Sequence, residues 1–187
     1  MHKKGLLLLL VTLLAGAEMS LPRYTPDGQL VRPEGYRHWM FVGANYGMGY
    51  TEGDANAAQR PTTFHNIYIQ PEAYQHYVRT GTFPDRTMLV MEVVRPGTNA
   101  SINKRGMFQD IFVGIEVALK DETRFPQDKW AYFNFIGPEG KPLAQSKPFG
   151  RQACWSCHNE HGAVDNVFVQ FYRVLREERE KTLAAAR

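Results

Sequence analysis

Apolar residues along this chain recur with two periods, and the change from one to the other separates a strand-rich middle from a helical end. Residues 63–69 are β-branched and aromatic and read as a strand. Residues 87–94 alternate, with Leu89, Met91 and Val93 on one face and Met88, Val90, Glu92 and Val94 on the other. Residues 108–119 alternate most clearly: Ile111, Val113, Ile115, Val117 and Leu119 oppose Phe112, Gly114, Glu116 and Ala118. A fourth strand is expected over 130–136. The connections lack helices long enough for parallel crossovers, so the pattern predicts an antiparallel sheet.

Helical signals are fewer. Pro71 suits a first turn, residues 72–78 follow it, and Gly81 supplies the stop. A short helical turn is expected over 151–158. A terminal helix is expected over 165–186, where Val167, Phe171, Val174 and Leu175 fall at helical spacing. Residues 24–35 read as an irregular lead-in, 36–42 as a short helix or strand, and 140–148 as a loop. Residues 43–60, with four glycines, read as a long loop. The fold class is therefore α+β: mainly antiparallel β-sheet with short helices and a C-terminal helix.

The first residues are of another kind. His2, Lys3 and Lys4 precede an apolar run over 5–14, and Ala15-Gly16-Ala17 is a small-residue cleavage site. The run is too short to span a bilayer. Residues 1–17 are expected to be a secretory signal, cut before Glu18, leaving one domain over 18–187 with no membrane anchor. Without Lys3 and Lys4 the 22 basic residues become 20 against 19 acidic ones, a formal charge of +1. Such a balance gives no reason to expect a nucleic-acid partner.

Both cysteines of the chain lie in Cys154-Trp155-Ser156-Cys157-His158. C-x-x-C-H is the attachment signal of a c-type haem: each thiol adds to one vinyl group, and the histidine ligates the iron. A thioredoxin-type pair would open the helix of a βαβ unit, whereas this pair follows all the strands. A structural zinc site would need Cys154, Cys157, His158 and His161 in an improbably tight tetrahedron. A plain disulfide leaves the adjacent histidine without a purpose. One motif implies one covalently attached haem c, with His158 as the metal ligand. Attachment of this kind takes place outside the bacterial cytoplasmic membrane, so the motif and the leader both indicate the periplasm.

The sixth coordination position separates the possible functions. His161 is too near the proximal ligand to reach the far face, and a lone His65 on a strand is more often a core or edge residue. Methionines 40, 48, 88, 91 and 107 are each more often packing, with Met91 on the most apolar strand face. No residue stands out as an obligatory sixth ligand, so an open or apolar distal site is expected.

Much more than the haem motif bears on this expectation. Tyr36-Arg37-His38-Trp39, Phe64-His65-Asn66-Ile67-Tyr68-Ile69, Pro71-Glu72-Ala73-Tyr74 and Thr80-Gly81-Thr82-Phe83-Pro84-Asp85 form one set of segments. Leu89-Val90-Met91-Glu92, Gly114-Ile115-Glu116-Val117, Trp130-Ala131-Tyr132-Phe133 and Val167-Phe168-Val169-Gln170-Phe171-Tyr172 form another. Together they resemble the cytochrome P-460 and cytochrome c′-beta family across the mature chain. That resemblance implies a secreted, homodimeric, mostly β protein with one haem on the C-x-x-C-H histidine and an accessible far side. Its hydroxylamine-oxidising branch cross-links a lysine to the porphyrin from a Val-Lys-Glu strand; here the matching residues are Val90-Met91-Glu92. That branch also tends to use a distal carboxylate, and residues 147–153 contain none, which leaves Glu92 and Glu116 as pocket candidates. The branch without the cross-link has a phenylalanine-lined distal pocket, for which Phe41, Phe64 and Phe112 are the expected residues. The resemblance thus implies binding of nitric oxide or a similar diatomic. Oxidation of hydroxylamine or nitric oxide, and electron transfer to an unknown periplasmic redox partner, are the alternatives.

Overall fold

The computed structural model describes residues 20–48, 62–98 and 100–185. The expected signal, residues 1–17, lies outside them, as do residues 49–61 of the expected glycine-containing loop. A two-residue strand β1 (Leu30–Val31) comes first, followed by a single 3-10 turn over Tyr36–His38. Then come β2 (Met40–Tyr46), β3 (Phe64–Ile69), helix α1 (Pro71–Thr80), β4 (Met88–Gly97), β5 (Phe108–Lys120) and β6 (Trp130–Asn134). The chain ends with β7 (Gln145–Ser146), α2 (Trp155–His161) and α3 (Arg173–Ala185).

Strands β2 to β6 form one sheet in chain order, each antiparallel to its neighbours, and β1 pairs with β7 in a separate two-stranded ribbon. The α+β class is as the alternating pattern required. Local propensity explains α1 well. Pro71 occupies its first turn, and Gly81 ends it at φ +71°, donating its N–H to the Tyr77 carbonyl at 2.7 Å. Among the described residues no helix is long and apolar enough to cross a membrane.

Each face of the sheet carries a core. On one, Val42, Ile67, Ile69, Leu89, Trp130 and Tyr132 pack against Ala73 and Tyr77 of α1, Leu175 of α3, and Val167 and Val169. On the other, Val90, Ile115, Val117, Leu119 and Phe133 pack against Leu30, Tyr36 and Phe135. Gln70, fully buried, ties the first residues down: its amide donates to the Ser20 carbonyl at 2.7 Å and accepts the Met88 N–H at 2.6 Å.

Several boundaries differ from the sequence expectation, including β1, which lies within the expected irregular lead-in, β4, which runs on to Gly97, and β6, which stops at Asn134. Residues 43–46, expected in a loop, continue β2, and residues 145–146 of another expected loop form β7. The helical turn expected over 151–158 is α2, displaced to Trp155–His161. The terminal helix begins at Arg173 rather than 165, because Asp165 and Asn166 hold left-handed φ values of +46° and +63° that no right-handed helix accepts. Val167, Phe168 and Val169 are all buried, and so belong to an irregular segment wrapped into the core rather than to one face of a helix.

A further difference, inside β5, matters for the site. Val93 pairs with Gly114, but Val94 pairs with Phe112, so Val113 is an extra residue in β5. Gly114, at φ +156°, has no room for a side chain: a Cβ would stand 2.8 Å from Ile136 Cγ1. The bulge breaks the alternation read from the sequence and turns Phe112 away from the face that Glu116 and Ala118 occupy.

Candidate functional site

Helix α2 is short and is held by contacts made outside it. The Trp155 indole N–H donates to the Asp128 carbonyl at 2.9 Å, and Arg151 lies 3.8 Å over the Trp155 ring while bonding Asp128 Oδ1 at 2.9 Å. These contacts fasten the motif to the turn between β5 and β6. Cys154, Cys157 and His158, at i, i+3 and i+4, consequently share one side of the helix.

His158 sits between two aromatic rings, Tyr132 at 4.2 Å and Phe168 at 4.2 Å. Its Nδ1 lies 2.9 Å from the backbone carbonyl of Asn166. A carbonyl only accepts, so the ring proton is on Nδ1 and Nε2 carries the lone pair. Burial lowers the imidazole pKa, with the Asn166 carbonyl opposing, which favours the neutral ligating form. The carbonyl is held by the strained pair Asp165-Asn166. Asp165 Oδ2 takes Lys120 Nζ at 2.7 Å, and its Oδ1 takes the Trp130 indole N–H at 3.2 Å. Asn166 contributes its backbone here, for its side-chain Nδ2 is buried without a partner. Gly162 completes the arrangement: a Cβ there would stand 2.6 Å from the His158 carbonyl oxygen and 2.7 Å from the Asn166 carbonyl carbon.

A cavity of about 240 Å³ opens in front of these groups. Ile67, Leu89, Met91, Glu116, Ala118 and Tyr132 form its sheet wall. Cys154, Cys157, His158 and Phe168 form the opposite one, with Phe149, Ala153 and Tyr172 at the margin. Burial, with lesser contributions from Glu116 and Cys157, pushes the Cys154 thiol up to about 11. That is opposite to the lowered pKa of a redox-active C-x-x-C thiol. Burial also raises the Glu116 carboxyl, which favours its neutral form. Two unpaired thiols and one imidazole lone pair on a mostly apolar, aromatic-walled cavity suit a flat apolar macrocycle with a central metal.

The family model of cytochrome P460 matches residues 33–169, which include the whole meander, the cysteine motif and Asn166. The chain belongs to the cytochrome P460 family. It is therefore a haem cytochrome. No individual curated protein matches it. In this cytochrome P460 chain, Cys154, Cys157 and His158 line one cavity together, and the His158 Nδ1 lies against the Asn166 carbonyl.

Cys154, Cys157, His158 and Met91, expected at the site, all line the cavity. Of the five candidate methionines, Met91 alone does so; Met88 is in the opposite core, and Met40 and Met107 are exposed. Phe41, Phe64 and Phe112 do not reach it. Phe41 pairs with Tyr68, and Phe64 and Phe112 both pair with Val94, all on the sheet's other face. Alternation puts Phe41 and Phe64 there, and the Val113 bulge sends Phe112 after them. The aromatic residues that line the cavity are Tyr132, Phe133, Phe149, Phe168 and Tyr172 instead. Of the two candidate carboxylates, Glu116 is at the cavity. Glu92 lies on the opposite face, bonded by the Tyr36 hydroxyl at 2.8 Å and by Arg37.

Proposed function

We propose that this chain is a periplasmic cytochrome with one haem c, joined to the protein only through Cys154 and Cys157, and that its iron binds a neutral diatomic ligand, nitric oxide foremost. His158 is the proximal ligand. The haem supplies an iron centre able to take up a small π-accepting molecule. The protein's own part is to fix the imidazole through the Asn166 carbonyl and to surround the ring with Ile67, Leu89, Met91 and Phe168. A wall of this kind offers little to a charged or strongly hydrated ligand and suits a small uncharged one.

The observation carrying the reading is the placement of Met91. It stands in the cavity wall, the resemblance matches it to the cross-linking lysine of the hydroxylamine-oxidising branch, and a thioether provides no amine. One observation favours a second reading. Glu116 is a half-buried carboxyl on the same wall, directly across the β4–β5 ladder from Met91, and is a proton acceptor of the kind that oxidation of hydroxylamine requires. A third reading, electron transfer, needs a sixth protein ligand, for which Met91 is the available sulfur.

The optical spectrum of the ferrous protein distinguishes them. A five-coordinate, high-spin haem that changes on addition of nitric oxide supports gas binding. A sharp low-spin spectrum indifferent to nitric oxide would replace it with electron transfer, and hydroxylamine turnover with an artificial acceptor would replace it with the oxidase. The periplasmic assignment predicts a mature N-terminus at Glu18 in secreted, haem-loaded protein.

A homodimer also belongs to the proposal. On the sheet face away from the haem cavity, Phe41 is 46% exposed and Tyr46 is 45% exposed, next to Phe64. An apolar surface of this sort on an edge strand suits a second copy of the chain.

A further inference from the structure

The Asn166 carbonyl accepts a second hydrogen bond, from the Tyr132 hydroxyl at 3.3 Å. Burial drives the Tyr132 phenol far above its ordinary pKa, so it is a neutral donor. Tyr132 is nearly buried on β6, and its ring lies 4.2 Å from the imidazole. The phenol and the imidazole that touch one another therefore share one acceptor.

We propose that Tyr132 is a positioning residue that sets the donor strength of the proximal histidine by competing for the Asn166 carbonyl. A histidine that donates its outer N–H to a good acceptor becomes a more basic ligand. A carbonyl oxygen already accepting from a phenol has less electron density for a second donor, so the Tyr132 hydroxyl weakens the His158 bond. The opposing element is the clamp on Asp165. Lys120 and the Trp130 indole hold its two carboxylate oxygens, and thereby keep the neighbouring carbonyl in reach of Nδ1. Lys120 is itself fixed by a bond to the Phe83 carbonyl at 2.8 Å. One group loosens the outer bond of the histidine and the other tightens it, with Asn166 between them.

The inference rests on His158 being the iron ligand, and not on which molecule the iron binds. It is tested in the haem-loaded protein with two uncharged replacements. Tyr132→Phe keeps the ring and removes the hydroxyl; Trp130→Phe removes the indole N–H that holds Asp165. The readouts are the iron–histidine stretching band of the ferrous protein by resonance Raman and the reduction potential by spectroelectrochemistry.

Tyr132→Phe is expected to move the band to higher frequency and the potential downward. Trp130→Phe is expected to move both the other way. A contact that merely supports packing would shift both variants in the same direction. That result, or an unchanged band and potential in Tyr132→Phe, would overturn the proposal. If Trp130→Phe does not fold, the sign of the Tyr132→Phe shift still decides, because that change is isosteric. The parent reading fails differently: if His158→Ala retains the unaltered spectrum, the iron ligand is another residue.

Discussion

Met91 on β4 and Glu116 on β5 are direct cross-strand partners, and both line the cavity that holds His158. Their side chains occupy neighbouring places on one sheet face. A lysine in place of Met91 would therefore meet a carboxyl that now has only burial acting on its pKa, and the pair would share its desolvation cost. Met91→Lys is expected to be accommodated for this reason. With hydrogen peroxide supplied as the two-electron oxidant and reduced to water, its amine nitrogen should replace a hydrogen at the porphyrin edge, attaching a second tryptic peptide, from β4, to the haem. The unmodified protein should give one, carrying Cys154 and Cys157. Peptide mass mapping checks both. A single haem peptide in the variant would mean that β4 presents its side chain away from the porphyrin edge.

The proposed covalent attachment would depend on Cys154 and Cys157, which are the two cysteines of the sequence. Cys154→Ala should retain haem through one thioether with a much lower yield, and the double replacement should lose all haem staining in a denaturing gel. Staining that survives the double replacement would refute c-type attachment.

The sequence disclosed the cofactor through five adjacent residues, and disclosed the sheet through alternation that every strand obeys for most of its length. It did not disclose the walls of the cavity. Face assignment by parity holds only while pairing is regular, and Val113 adds one residue to β5 between the reliable half of the pattern and Phe112. The only local sign was Gly114 inside an otherwise β-branched run, and glycine in a strand often marks such a bulge. The support of His158 was hidden for another reason. Val167 and Phe171 have helical spacing, yet Asp165-Asn166 stands in front of them, and these are residue types that accept left-handed φ values. Taken as a turn, that pair would have pointed to the carbonyl on which the histidine depends. Gly162 is a companion signal that spacing does not show.

Gly162→Ala puts a methyl group against two backbone atoms that cannot move without disturbing the site, the His158 carbonyl oxygen and the Asn166 carbonyl carbon. Overpacking against rigid neighbours costs about 1–3 kcal/mol. The variant should unfold at lower urea concentration, and its proximal band should broaden as the Asn166 carbonyl shifts. Unaltered stability would indicate that the turn after α2 is less constrained than its contacts require.

A second copy on the exposed aromatic face would make Phe41 an interfacial residue. Phe41→Lys should convert a dimer to monomer in sedimentation velocity while leaving the haem spectrum intact, since Phe41 is on the face opposite the cavity. A dimer that persists with unchanged affinity would place the interface elsewhere.

Glu116 gives the site a pH dependence whose sign is fixed by the cause of its shift. Burial alone raises its pKa, and no bonded partner or nearby cation offsets it. A group whose folded pKa exceeds its unfolded value binds more protons in the folded state. Its contribution to stability is complete below the ordinary carboxylate range and disappears as pH rises through the raised value. Ferrous protein, in which the iron and the porphyrin ring together carry no net charge, should therefore lose stability across that interval. Glu116→Gln, which retains the shape and cannot ionise, should remove the loss and exceed the parent protein in urea midpoint above it. Below the ordinary carboxylate range the two should unfold alike. Urea titrations over pH 4–8 compare the curves, and parallel curves at every pH would mean that Glu116 is ionised against a partner in the haem-loaded protein. In that case the carboxylate is already available as a proton acceptor, and the hydroxylamine-oxidising reading gains what the gas-binding one loses.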